Sequence, residues 1–258
     1  MVKRVACDHG HGLYTKGKRT PDGKQEWLFN QEVGKACMNR LKQYDAVEVI
    51  RLDDPTGKED VSLNRRTDKA NRFGADILVS IHHNAYMGKW GNHTGTETYT
   101  YIGNWPYAER LAEELHQRVL NVYGLRDRGL KKANFHMLRE STMPAVLLEM
   151  GFMDSTVDIE ILSDKRKLAK AGVAIADGIA DYLGLTLKQA DQARIQITDL
   201  NPGKIEMLSR YFMERHWWAD VDFVQGVPKV ITGTLSKGMQ KDFEKWLNAR
   251  GWNYQLIH

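Results

Sequence analysis

Ala75-Asp76-Ile77-Leu78-Val79-Ser80-Ile81-His82-His83-Asn84 passes from an almost unbroken apolar run into two adjacent imidazoles. A run of this kind predicts a strand of a parallel sheet covered on both faces, because a strand with one wet face would alternate. Successive strand side chains point to opposite faces, so only one of His82 and His83 can join a given site. Open sheets of this class bind ligands outside the carboxyl ends of their strands, and the two imidazoles fall there.

Working outward, Val2–Cys7 reads as another short buried strand, followed by a Gly- and Lys-rich loop with turn chemistry at Pro21-Asp22-Gly23. Glu26 to Tyr44 shows helical spacing, with Leu28, Val33, Cys37 and Leu41 on an apolar face. Ala46–Leu52 returns to strand character, and Ser62 is placed to cap a basic helix that ends near Gly74. Thr96–Tyr101 alternates like a strand, Trp105–Tyr123 is amphipathic, and Phe135–Leu138 and Ala145–Leu148 are expected to be strands. An Ala-rich helix runs from Asp164 to Leu183 and stops at Gly184. Strands alternating with helices over residues 1–184 predict an α/β fold, a mostly parallel twisted sheet with helices on both faces.

Composition changes after Gly184. Residues 185–194 are polar and read as a linker, and 195–258 hold four of the seven tryptophans: Trp217, Trp218, Trp246 and Trp252. Strand, helix, strand over Ile195–Thr198, Pro202–Glu214 and Ala219–Val224 repeats over Lys229–Thr232, Leu235–Arg250 and Trp252–Ile257. That βαββαβ order predicts a small α+β domain, a sheet backed by two helices.

The chain has 258 residues, 42% hydrophobic and 27% charged, which describes an ordinary globular protein and excludes a disordered one. A net charge of +4 is too small to indicate nucleic acid. It suits work near a polyanionic wall, and equally suits plain solubility. Cys7 and Cys37 lie in apolar surroundings without CxxC spacing, so reduced buried thiols are expected. No run approaches the ~18 apolar residues needed to span a bilayer. The N-terminal apolar stretch is too short for a signal peptide, so no export address is expected.

Three segments gather metal-ligating or basic side chains at expected strand ends: Asp8-His9-Gly10-His11-Gly12, Ser80-Ile81-His82-His83-Asn84 and Glu149-Met150-Gly151. Gly10 lets the backbone bring an imidazole close to an ion without an intervening Cβ. Glu26 opens a helix, where an acid also complements the helix dipole. Glu149 follows four apolar residues, and an unpaired carboxylate so buried costs several kcal/mol. It needs a metal, a cation or a raised pKa, each a functional condition. Two His with one carboxylate make an open zinc site, which keeps a position for water as a hydrolase requires. The residues alone leave open which member of each His pair would bind.

Taken in order, these residues resemble the zinc-dependent N-acetylmuramoyl-L-alanine amidases of the amidase 3 type. The carrying motifs begin with Asp8-x-Gly10-His11-Gly12, Glu26 with Leu28 and Asn30, and Arg65-Arg66. They continue through Ala70-Asn71, Gly74-Ala75-Asp76, Ser80-Ile81-His82-x-Asn84-Ala85 and Gly95-Thr96-Glu97-Thr98-Tyr99. Arg128-Gly129-Leu130-Lys131, Phe135-x-Met137-Leu138-Arg139 and Met143–Phe152 complete the series over roughly residues 2–184. The resemblance implies one Zn2+ on His11, Glu26 and His82, with Glu149 as the catalytic acid–base. It implies cleavage of the amide between N-acetylmuramic acid and L-alanine in peptidoglycan. His9 stands where the family commonly has Pro and His83 where it has a small residue; contact with substrate is one reading of both. Asn84 and Glu97 read equally as site residues and as scaffold.

Residues 195–258 resemble, more loosely, the SPOR-like wall-binding modules of phage and prophage amidases. Val230-Ile231-Thr232-Gly233-Thr234 and Met239–Leu247 before Gly251-Trp252 carry that resemblance. Tryptophan faces can stack on sugar rings, although Trp246, at helical spacing, is expected in the core. Together these readings predict a phage endolysin: a monomer held in the host cytoplasm until a holin admits it to the wall. The rival readings are a wall-binding protein with a decayed catalytic domain and a zinc peptidase acting on ordinary peptides. Intact His11, Glu26, His82 and Glu149 oppose the first; ligand types alone permit the second.

Overall fold

The structure, a computed structural model, describes residues 1–188, 194–215, 217–224 and 226–257. The chain divides into two compact units, Met1–Leu187 and Lys188–His258.

The first unit carries β1 (Lys3–His9), α1 (Glu26–Leu41), β2 (Val47–Arg51), α2 (Leu63–Phe73), β3 (Ile77–Asn84) and β4 (Thr96–Thr100). It continues with α3 (Pro106–Tyr123), β5 (Asp127–Lys132), α4 (His136–Arg139), β6 (Ala145–Phe152), α5 (Asp158–Leu162) and α6 (Lys165–Leu183). The sheet order is β2-β1-β3-β6-β4-β5. Its first four strands are mutually parallel, while β4 runs antiparallel to β6 and parallel to β5. This is the expected α/β architecture.

Alternation along the strands sorts the core into two layers. Val5, Cys7, Val79, Ile81, Val146 and Leu148 pack with α1, α3 and α6. Ala6, Leu78, Ala145 and Leu147 pack on the other side with Ala70 of α2 and Met137 and Leu138 of α4. Cys7 and Cys37 are free and fully buried in the first layer. Helix α1 buries Trp27, Phe29, Val33, Cys37 and Leu41, while Leu28 is only partly covered. Helix α2 is bounded as its sequence predicts. Ser62 accepts a hydrogen bond from the Arg65 N–H, and Gly74 ends the helix in the left-handed conformation, φ 64°.

Two local expectations are corrected. Phe135–Leu138 is not a strand: Phe135 precedes the single helical turn α4, and Leu138 and Arg139 both return hydrogen bonds to its carbonyl. Four consecutive residues are too few for periodicity to distinguish strand from helix. The edge strand β5 was not foreseen, because Asp127-Arg128-Gly129-Leu130-Lys131-Lys132 offers one apolar residue and buries none fully. Edge strands are commonly charged in this way, which blunts unwanted pairing.

The second unit contains β7 (Arg194–Ile197), α7 (Pro202–Glu214), β8 (Ala219–Val224), β9 (Val227–Thr232), α8 (Lys237–Asn248) and β10 (Tyr254–Ile257). The order of elements is βαββαβ, and the antiparallel sheet runs β10-β7-β9-β8. Ile195, Ile197, Leu208, Tyr211, Val230, Phe243 and Leu247 form its core. Trp217, Trp246 and Trp252 pack against that core, whereas Trp218 is 64% exposed. Within residues 185–194, Thr186 accepts a hydrogen bond from Asp45 and Leu187 bridges Tyr44 in the first unit. Residues 189–193 of that stretch lie outside the described residues. No helix of the described residues is long and apolar enough to cross a membrane.

Candidate active site

The carboxyl ends of β1, β3 and β6 converge with the first turn of α1, and each contributes a side chain. Strand register aligns His82 of β3 with Glu149 of β6, and Glu149 with Glu97 of β4. Directly paired residues share a sheet face, so His82, Glu149 and Glu97 form one row. His9 pairs with Ile81 and belongs to the opposite face, as does His83. Alternation thus separates His82 from His83, while His11 lies beyond β1 and owes its place to the loop that follows.

His11, Glu26 and His82 come together, with one ligand atom from each within 4.8 Å of the others. Glu26 lies between the imidazoles: His82 Nδ1 is 3.1 Å from Oε1 and His11 Nε2 is 3.3 Å from Oε2. The rings of His11 and His82 meet edge to face at 4.8 Å. Close backbone passage makes this possible. A Cβ on Gly10 would fall 2.1 Å from His82 Cε1. His11 itself adopts φ 67°, a conformation that costs a non-glycine residue roughly 1–3 kcal/mol. Such strain persists only where the surroundings enforce it.

The enforcing group is Arg66. Its buried guanidinium donates to the carbonyls of His9 at 3.0 Å and His11 at 2.9 Å, and to Asp8 Oδ1 at 2.7 Å. Ser80 donates to the other Asp8 oxygen at 2.6 Å. Burial alone would raise the Asp8 pKa, but the charges of Arg66 and His82 and the hydrogen bonds from Ser80 and Arg66 together outweigh it and hold the carboxyl below its usual range. Asn30, one turn along α1 from Glu26, donates to the Gly10 carbonyl at 3.0 Å and lies 2.8 Å from His83 Nδ1. His83 thus serves the helix layer, with Tyr123 Oη at 3.3 Å from its Nε2. His9 is packed against α1, where a Cβ on Gly34 would land 1.9 Å from its Nε2. Burial pushes the His9 pKa down to about 4 and that of His83 to about 3, so both are neutral packing groups at pH 7.

The electrostatics of the triad fit a cation. Burial works to raise the Glu26 carboxyl, yet the His11 and His82 imidazoles, 3.3 and 3.1 Å from its oxygens, together overcome it and hold the acid ionised. His11 Nε2 is buried and, although 3.3 Å from Glu26 Oε2, makes no hydrogen bond, a donor set that an ion on its lone pair would satisfy. Two imidazoles and one carboxylate with an orphaned nitrogen make up a possible metal site.

Glu149 stands one strand away from His82. The residue is partly exposed, but its Oε2 is buried and without a hydrogen-bond partner. Burial is the main cause that lifts its pKa to about 8, with Glu26 adding repulsion and the charges of His82 and Lys18 opposing. A carboxyl poised to hold or release a proton near neutrality has the property of a general acid–base. Glu149 and Glu26 line a common cavity of about 180 Å³. A second cavity, of about 260 Å³, opens on the His11 and His82 side. The 320 Å³ cavity lined by Tyr101, Trp105 and Met143 includes Ala145, at the opposite end of β6 from the carboxyl-end site.

Glu97 is the hub of a buried network. Asn84 Nδ2 and Tyr99 Oη donate to its Oε1 at 2.8 and 2.6 Å, and Arg128 and Lys131 bind Oε2. Burial raises and these partners lower its pKa, with a net fall to about 2. Beyond Asn84, the Asp154 carboxylate accepts the N–H groups of Tyr86, Met87 and Gly88, tying down the loop that leaves β3. Motif reading assigned no role to Arg66, Asp8 or Asp154. The available signals were Ser80, a polar residue inside an apolar run expected to be buried, and Asp8, directly after the expected strand Val2–Cys7.

Residues 5–181 match the family Amidase_3, described as N-acetylmuramoyl-L-alanine amidase. The chain is 38% identical over 200 residues to the N-acetylmuramoyl-L-alanine amidase CwlM of Bacillus licheniformis, an alignment covering 76% of this chain and 75% of the relative. It is 29% identical over 213 residues to the endolysin of Bacillus phage SPP1, covering 81% and 76%. Among solved structures, the catalytic domain of the amidase CwlV from Bacillus (Paenibacillus) polymyxa var. colistinus superposes with a TM-score of 0.65 and 32% identity, covering 72% of this chain and all of that one. The motif order, the sheet and the extent of these matches agree, and the chain belongs to the Amidase_3 family of N-acetylmuramoyl-L-alanine amidases.

Proposed function

We propose that this amidase is a zinc enzyme that hydrolyses the bond between the lactyl group of N-acetylmuramic acid and L-alanine, and that it acts as a phage endolysin. The observation that carries the chemistry is the orphaned His11 Nε2 in a triad with Glu26 and His82, one strand from the orphaned, proton-holding Glu149. His11, Glu26 and His82 would hold the ion. When bound, Zn2+ would polarise water and carbonyl and lower the pKa of acids around it. Glu149 takes a proton from the attacking water and passes it to the departing alanine nitrogen. Arg66 keeps the His11 backbone in its strained position, and Asn30 keeps Glu26 facing both imidazoles.

The likeness to the SPP1 endolysin favours a lytic setting, in which a holin would admit the enzyme to the wall. For the second unit we propose wall binding, with exposed Trp218 as a candidate contact to sugar rings. Metal analysis of the purified chain, together with digestion of muropeptides, tests the chemistry. Stoichiometric zinc and new alanine amino groups without new reducing ends are expected. Activity that survives chelation, or cleavage of ordinary peptides at similar rates, would defeat it. A chain ending at Leu187 should keep turnover on soluble muropeptides but sediment less with intact walls; equal sedimentation removes the wall-binding role.

A further inference from the structure

Lys16 and Lys18 take no part in the chemistry described above, yet both line the cavity that holds Glu26 and Glu149. Both are exposed, while the two carboxylates lie deeper, and Asn84 and Ala85 complete the cavity from the end of β3. The loop that carries the lysines is held at several points. The Lys18 carbonyl accepts the Glu26 N–H at 3.0 Å, its own N–H donates to Thr15, and Arg19 bridges Gln25. Thr15 in turn donates to Asp60 at 2.6 Å and accepts the Gly12 N–H at 2.9 Å. Lys18 is therefore tethered through the backbone to the residue that carries a metal-site carboxylate.

Neither ammonium has a hydrogen-bond or ion-pair partner among the described residues. Lys131 and Lys132, by contrast, are each bound to an acid, Glu97 and Glu109. Two unpaired cations at the mouth of a site for a peptide amide suit an anionic group on the substrate. The peptide released by muramoyl-alanine cleavage offers one. Where the second residue of that peptide is an acid, its carboxyl lies roughly 6 Å from the scissile nitrogen in an extended chain, and amidation would remove its charge.

We propose that Lys16 and Lys18 form a subsite for that carboxylate, so that the enzyme discriminates stems with a free acid from stems carrying the amide. The inference rests on the amidase reading and adds its substrate preference. Its test compares N-acetylmuramoyl-L-alanyl-γ-D-glutamate with the α-carboxamide of the same compound, using the full zinc-loaded chain. The native protein should favour the acid about tenfold in kcat/KM, the scale of one hydrogen bond to a charged group, with the difference carried by KM. The preference should shrink as salt rises. Lys16→Met with Lys18→Met should bring the ratio close to one, and Lys18→Arg should keep it. Equal unfolding midpoints would show that the variants are folded. A ratio of one in the native chain, or a ratio unmoved by the double substitution, overturns the subsite alone. No release of amine from either compound overturns the amidase reading and the subsite with it.

Discussion

The two units solve the packing problem with different materials. The first buries Asp8, His9, Glu26, Arg66, His83, Glu97, Asp154 and Asp158 beside its apolar layers. In the second, Thr232 is the one buried polar side chain among the described residues, and Tyr211, Phe212 and Phe243 pack among seven buried aliphatic residues. Tyr211 and Phe243 stack at 5.0 Å, with Trp246 4.5 Å from Tyr211. The contrast fits the two kinds of work proposed for the units. Chemistry at a proton or a metal needs charges withdrawn from water, where their pKa values shift and their geometry is enforced. The wall binding proposed for the second unit would instead need a stable platform and an exposed face.

The comparison can be broken most forcefully at Glu149. Glu149→Gln preserves shape and removes the proposed proton carrier, so turnover of muropeptides should fall about 10²- to 10⁴-fold while bound metal is retained. Retained turnover would mean that another group moves the proton. Next in size is Arg66→Met, which leaves Asp8 buried without its partner and frees the His9 and His11 carbonyls. Breaking such a pair costs about 3–5 kcal/mol, and thermal unfolding of the first unit should shift while the second does not. Loss of metal affinity should accompany it.

Phe243→Ala asks the same question of the second unit. Removing a fully buried phenylalanine costs about 3–5 kcal/mol, enough to unfold a domain of this size. Turnover of soluble muropeptides should be unchanged, and a matching loss there would show that the units are not independent. The smallest effect concerns acid stability. The folded pKa of Glu97, about 2, is below the ordinary value of 4.5, so its network stabilises the fold above pH 4.5. That contribution should fade as pH drops toward 2. Glu97→Gln should flatten the stability–pH curve of the first unit in this window, as followed by denaturant titration.

Much of this molecule was legible in one dimension. The βα alternation and the apolar run ending in His82-His83 implied the sheet and the end of it that carries the site. The helix boundaries at Ser62 and Gly74 follow from capping chemistry, and the βαββαβ order of the second unit follows from its internal echo. Short or charged elements were not legible. Phe135–Leu138 is one helical turn, and β5 is an edge strand with a single apolar residue.

The sequence by itself determined the fold class, the family motifs and the stock of imidazoles and carboxylates at the strand ends. Tertiary structure decided which of them meet. His82 and His83 are chemically identical neighbours, and only the register of β3 against β6 turns His82 toward Glu149 and His83 toward Asn30 and Tyr123. His9 and His11 likewise differ by one turn of backbone that Arg66, far along the chain, holds in place. Side-chain direction depends on pairing between strands and clamping across the fold, and no local pattern contains that information.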